Sequence, residues 1–132
     1  MGLRISRALQ ARMLEEAARI PDREVCGLVF GTGDDTVTDI QECINVAASP
    51  EDSFEIDPAA LIAAHKAERA GGPSLIGCYH SHPNGVEKPS LRDAESDGRA
   101  HSLWLIIADN KLVAWRSAGS GTFERVEIDS TD

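Results

Sequence analysis

The stretch GCYHSHPNGVEKPSLRD, residues 77–93, places two of the chain's four histidines one residue apart. The run leading into it, from Ser74 to His80, reads as a strand. Residues i and i+2 of a strand point to the same side, so His80 and His82 present two imidazoles to one point while Ser81 faces away. Pro83, with no N–H and a fixed φ, stops the strand and turns the chain. Ser90 or a neighbour then opens a helix expected from Leu91 to about Ala100. Asp93 falls near its N-terminus, where a carboxylate suits the helix dipole. Two imidazoles and a carboxylate can hold zinc with a fourth position open for water, the mark of a catalytic rather than a structural site. Spacing alone leaves a blander reading open, because His-x-His pairs also occur as surface or hydrogen-bonded histidines.

Upstream, Ser6 is placed to cap a helix carrying Leu9, Met13, Leu14, Ala17 and Ile20 at helical spacing, ended by Pro21-Asp22. Val25 to Phe30 is a short apolar run that reads as a buried strand. Gly31 to Asp35 is a turn, and Thr36 to Val46 has the β-branched content of a second strand. After a loop around Pro50, Asp57-Pro58 gives an N-cap and a proline at the first helical position, and the helix runs to Gly71-Gly72. Downstream, Leu103 to Ala108 and Leu112 to Trp115 flank Asp109-Asn110-Lys111 as a hairpin. Phe123 to Ile128 is a last strand before a polar tail. Helices alternating irregularly with adjacent strands predict an α/β (α+β) domain, a mixed sheet flanked by helices rather than a doubly wound parallel one.

A chain of 132 residues is expected to form one domain, residues 1–132 with a core over about 3–128. No apolar run approaches a membrane span and no signal sequence opens the chain, so a cytoplasmic location is expected. Three cysteines without a close-spaced pair do not make a disulfide framework and suit a reducing compartment. A net charge of −9 with no basic run argues against nucleic acid as a partner.

Taken together, His80, His82 and Pro83, then Ser90 and Asp93, fit the signature His-x-His-x7-Ser-x2-Asp, with Pro83 opening the seven-residue spacer. The chain resembles the JAMM (MPN+) zinc peptidases. Glu24 to Gly31, a glutamate shortly before a Cys-Gly-Leu strand, resembles the family's upstream motif. Asn45, Phe54 to Asp57, and Gly77-Cys78-Tyr79 also resemble short bacterial members. The resemblance implies a curved mixed sheet of cytidine-deaminase-like architecture. It implies Zn2+ as cofactor, held by His80, His82 and Asp93. It makes Glu24 the general acid/base that works on the metal-held water, and Ser90 the donor to the oxyanion. Local spacing would not have selected Glu24 from eleven glutamates; a helix N-cap competes for the Ser90 side chain, and the oxyanion role is favoured because Asp93 is committed to the metal.

The family implies hydrolysis of the amide or isopeptide bond after the C-terminal Gly-Gly of a ubiquitin-like protein. For short members the partner is a β-grasp sulfur carrier of the ThiS, MoaD or CysO type. The chain is too short for the long insertions that eukaryotic members use to select ubiquitin linkages. A homodimer through an edge strand is compatible with the pattern. Four other readings compete. A non-catalytic MPN-type scaffold recognising a ubiquitin-like partner would be expected to lack the ligands retained here. A zinc nucleoside deaminase would need H-x-E and P-C-x-x-C, and neither is present. A DNA-associated relative is opposed by the charge, and a structural zinc protein would want four protein ligands. Near the site, Cys78 shares the parity of His80 but reads, like Cys26, as a buried inert thiol. Asp97, i+4 from Asp93, is a candidate acid behind it. His101 and His65 read as surface residues, Trp104 and Trp115 as core, and Asn84 to Lys88 as a surface or substrate-gripping loop.

Overall fold

The Ser6 hydroxyl accepts a hydrogen bond from the Leu9 N–H (3.2 Å) and starts the first helix, α1 (Arg7–Arg19). The computed structural model describes residues 2–33, 35–97 and 100–132. A short strand, β1 (Leu3–Ser6), precedes α1, and β2 (Cys26–Thr32) and β3 (Thr36–Cys43) follow it as a hairpin. Asp57 caps α2 (Pro58–Arg69) through the Ala59 N–H, with Pro58 opening the helix. The strand carrying the histidines, β4 (Ser74–Ser81), leads to the short α3 (Leu91–Ser96). Four strands close the chain: β5 (Leu103–Ala108), β6 (Lys111–Gly119), β7 (Thr122–Val126) and β8 (Ile128–Thr131).

All eight strands join one mixed sheet in the order β7-β6-β5-β4-β2-β3-β1-β8. The β1–β3, β1–β8 and β4–β5 pairs are parallel and the others antiparallel. The two edge strands, β7 and β8, are consecutive in the chain and separated only by Glu127. A flat sheet of this width could not have its two edges joined by one residue, so the sheet curls until they approach. Its concave side is filled by α1. Met13, fully buried, packs in a cluster that draws on every strand, including Leu3 and Ile5, Val29, Ile40, Tyr79, Leu105, Ala114, Val126 and Ile128. Each fully buried aliphatic side chain of this kind stabilises the fold by about 1.5–3 kcal/mol. The convex side carries α2 over Cys26, Leu28 and Phe30, and a smaller group of Ile106, Ala108 and Val113.

Tyr79, on the concave side, lies under Gly27 of the neighbouring strand, where an added Cβ would stand 2.3 Å from the ring. Its hydroxyl donates to the buried carboxylate of Glu16 on α1. Burial raises the pKa of Glu16, against the opposing effect of that hydrogen bond.

The structure departs from the sequence expectation in four places. The residues read as a polar tail after Ile128 form edge strand β8 on β1, itself unforeseen. The second strand ends at Cys43, and beyond it the Asn45 backbone forms an isolated bridge to Ile56. The strand after the Asp109-Asn110 turn continues past Trp115 to Gly119. The helix opened by Ser90 ends at Ser96, with Asp97 as its C-cap; Gly98 and Arg99 lie outside the described residues. Among the described residues no helix is long and apolar enough to cross a membrane.

Candidate metal centre

His80 and His82 extend from the end of β4, and Asp93 from the first turn of α3. His80 Nε2, His82 Nε2 and Asp93 Oδ2 form a nearly equilateral triangle, with edges of 3.0, 3.1 and 3.1 Å. A tetrahedral ion with bonds of about 2.0–2.1 Å holds its ligand atoms about 3.3–3.4 Å apart, so the triangle is close to one face of such a polyhedron. All three residues are at most 5% exposed.

Hydrogen bonding gives this triangle a chemical direction. His82 Nδ1 faces the Val86 carbonyl at 2.7 Å, and a carbonyl can only accept, so the ring proton sits on Nδ1 and the Nε2 lone pair points inward. In the neutral ring that lone pair faces a second imidazole nitrogen and a carboxylate oxygen. A zinc ion fits this donor set of two imidazole nitrogens and a carboxylate oxygen. Burial, the largest influence at His82, lowers its pKa, yet the bonds to Asp93 and the Val86 carbonyl, with the charges of Asp93 and Glu24, raise it overall. At His80 burial prevails and holds the pKa below the ordinary range, so the ring is neutral. Asp93 is held well below the usual carboxylate range: burial works against its charge, but the adjoining His80 and His82 imidazoles and the hydrogen bond from the Ser90 N–H outweigh it. Neutral imidazoles and an ionised carboxylate are the forms that bind a metal.

Glu24 comes from the other side of the sheet pairing. Cys26 is the register partner of His80, and Glu24, two residues before Cys26, shares its side. One Glu24 carboxylate oxygen lies within 4.8 Å of donor atoms of both histidines. Burial, together with Asp93 and against the favourable charge of His82, pushes the Glu24 carboxyl up to about 7. Its Oε1 is buried with no hydrogen-bond partner among the described residues. Ser81, which faces away from the triangle as its parity requires, secures this approach. Its hydroxyl accepts from the Val25 N–H (2.9 Å) and its N–H donates to the Val25 carbonyl (3.0 Å).

Ser90 forms a capping box with Asp93. Its Oγ accepts from the Asp93 N–H (3.0 Å), and its own N–H donates to Asp93 Oδ2 (2.8 Å). The cap uses an Oγ lone pair and leaves the hydroxyl proton free to donate, so capping and oxyanion donation do not exclude each other.

Among the other neighbours, Asp97 and His65 differ from expectation, while His101 and Cys26 agree with it. Asp97 does not stand behind Asp93; its Oδ2 accepts from the Ser117 hydroxyl (2.7 Å) and the Gly121 N–H (3.2 Å), tying the end of α3 to the β6–β7 turn. His65 is half-buried on the wall of a cavity rather than solvent-facing. His101 is exposed and lies beyond α3, with a φ of 70°. Cys26 and Cys78 pack under α2, and burial raises both thiols, Cys26 to about 12. In the Asn84–Lys88 loop the Val86 carbonyl orients His82, while the Glu87 carbonyl accepts from Trp115 Nε1 at 2.9 Å and anchors the loop to β6. Phe54, whose part the sequence did not reveal, stacks on His80 at 4.2 Å, and Trp104 meets both rings edge-on.

The family described as prokaryotic homologs of the JAB domain matches residues 6–118. The chain belongs to this family. It is a JAMM-type hydrolase. A desampylase of Haloferax volcanii is 36% identical over 107 residues, 80% of this chain and 77% of that one. A probable TtuB-protein conjugate cleaving protease of Thermus thermophilus is 49% identical over 49 residues, 37% of this chain and 33% of that one. The solution structure of a protein from Desulfitobacterium hafniense superposes with a TM-score of 0.81 at 26% identity, covering 98% of this chain and 93% of that one. The curved sheet thus belongs to a JAMM hydrolase, and the buried triangle lies where β4 and α3 of that fold meet.

Proposed function

We propose that this JAMM hydrolase is a zinc peptidase that cuts the amide or isopeptide bond after the C-terminal Gly-Gly of a ubiquitin-like protein, a β-grasp sulfur carrier in particular. The observation that carries this reading is the triangle of His80, His82 and Asp93 with the buried Glu24 carboxylate beside it. The names of the two relatives, a desampylase and a protease of TtuB–protein conjugates, support the class of substrate.

His80, His82 and Asp93 would hold the zinc. Bound there, zinc would polarise a carbonyl and lower the pKa of water to about 7. Glu24, with a pKa near 7, is matched to taking the proton of the attacking water and returning it to the departing amine near neutral pH. The Ser90 O–H would donate to the oxyanion as the carbonyl carbon becomes tetrahedral. A groove of about 600 Å³ beside α2 and β4 adjoins the centre at Phe54 and Trp104, with Leu61, Leu75 and Cys78 among its walls. An extended tail fits such a groove, and two glycines suit the approach to a bond flanked by aromatic rings.

The test is product analysis. Zinc-loaded protein is incubated with conjugates of β-grasp sulfur carriers, and the products are identified by mass spectrometry. Cleavage directly after Gly-Gly, lost with a chelator and restored by zinc, is the expected result. Intact conjugates across the panel, with one zinc bound per chain, would overturn the substrate assignment.

A further inference from the structure

The Asn45 side chain, half-buried in the segment between β3 and α2, uses both ends of its amide twice. Its Nδ2 donates to the Glu24 carbonyl (2.9 Å) and the Ser53 carbonyl (3.1 Å). Its Oδ1 accepts from the Ala47 N–H (3.0 Å) and the Glu55 N–H (3.0 Å). Two carbonyls at one end and two N–H groups at the other fix the amide's orientation. The segments it ties together both border the metal centre. One contains Glu24. The other holds Phe54 between two anchored neighbours, Ser53 and Glu55, and Phe54 stacks on His80 with ring planes 20° apart.

Closing the loop does not by itself require this amide. Val46 N–H to the Glu55 carbonyl (2.9 Å) and Asp57 N–H to the Ile44 carbonyl (3.2 Å) already pair its two ends. Glu24 keeps its own N–H bond to the Pro50 carbonyl (2.7 Å), and Val25 keeps its bonds to Ser81. Loss of the Asn45 amide therefore frees the carbonyl of Glu24 without releasing the strand. The triangle residues come from β4 and α3, and none of their hydrogen bonds involves Asn45.

We propose that Asn45 is a positioning residue for hydrolysis: it aims Glu24, acting on turnover without touching metal or substrate. The proposal rests on the reading of Glu24 as the base. In structural terms it separates two tasks, with β4 and α3 holding the metal and the Asn45 junction aligning the group beside it.

The experiment is a double-mutant cycle of Asn45→Ala and Glu24→Gln in the zinc-loaded full chain. The probe is a recombinant β-grasp sulfur carrier joined through its C-terminal glycine to a fluorescent lysine. Asn45→Ala is expected to lower kcat about 10–100-fold, as removal of a supporting partner does in metal sites. KM is expected to change less than about threefold, and zinc stoichiometry and affinity to stay at the wild-type level. In the Glu24→Gln background the same substitution is expected to cost less than about twofold more, because its effect passes through Glu24. Asn45→Asp, which keeps the acceptors for Ala47 and Glu55 but turns an oxygen toward two carbonyls, is expected to behave like Asn45→Ala. It also carries the cycle if the alanine variant does not fold.

An unchanged kcat in Asn45→Ala, a full additional loss in the Glu24→Gln background, or a parallel loss of zinc would each overturn the proposal. Inactive Glu24→Gln beside fully active Asn45→Ala removes this inference alone. Wild-type turnover in Glu24→Gln removes the base and the inference together.

Discussion

Glu24 is a carboxylate that folding holds at the edge of ionisation. Its pKa rises from 4.5 unfolded to about 7 folded, so the folded state binds the proton more tightly. Its contribution to stability is complete below pH 4.5 and is lost as pH rises through about 7. Metal-free Glu24→Gln should therefore be more stable than the wild type at pH 8 and nearly equal to it at pH 4.5. Calorimetry across that range checks both ends. Ser90 allows its two tasks to be separated. Glycine at an N-cap costs only a few tenths of a kcal/mol, so Ser90→Gly should leave urea stability almost unchanged. It should nevertheless lower kcat about 10²–10³-fold if the hydroxyl donates to the oxyanion; equal activity would assign Ser90 to the cap alone. At this scale the sequence reveals residues that act locally. His80, His82, Ser90 and Asp93 lie within one strand-turn-helix, so spacing brings them together, while the family resemblance supplies their roles. Glu24 reaches them only through the pairing of Cys26 with His80, a non-local register that single-chain periodicity does not contain. For the same reason nothing local marks Asn45 or Phe54 as part of the site.

Elements were legible where apolar periodicity is strong. The β2 and β5 runs are buried nearly throughout, and α1 shows its core stripe. Edge strands carry no such signal. In β8, Asp129 and Ser130 are exposed and only part of Ile128 meets the core, so the segment looks like a solvated tail. In α3, six residues give too few turns for a period, and its end is set by Asp97 bonding to Ser117 and Gly121 across the fold. One contact between elements offers a direct test. At Gly77 an added Cβ would stand 2.2 Å from the Leu103 carbonyl oxygen of the adjacent parallel strand. Gly77→Ala must push β4 from β5 and should cost about 1–3 kcal/mol in urea unfolding. It should also weaken zinc binding, because β4 carries both imidazoles. A wild-type midpoint would show that the two strands are not so closely apposed.

The whole molecule is a sheet curled around one helix, and that curvature divides its labour. The larger core lies on the concave side, where Met13 of α1 joins a cluster drawn from every strand. The candidate metal centre lies on the convex side, at the point where β4 ends and α3 begins. On the proposed reading its ligands rest on rigid pairing, while Glu24 arrives from just before β2, where the loop before α2 bonds its backbone. The central claim is that His80, His82 and Asp93 bind zinc whereas Glu24 works on water beside it. Zinc content and turnover of Glu24→Gln and Asp93→Asn, determined side by side on the same preparations, test it most directly. The account predicts one zinc per chain with turnover reduced about 10²–10⁴-fold in Glu24→Gln, and loss of both zinc and turnover in Asp93→Asn. Zinc lost from Glu24→Gln but retained by Asp93→Asn would make Glu24 the third ligand and contradict the account.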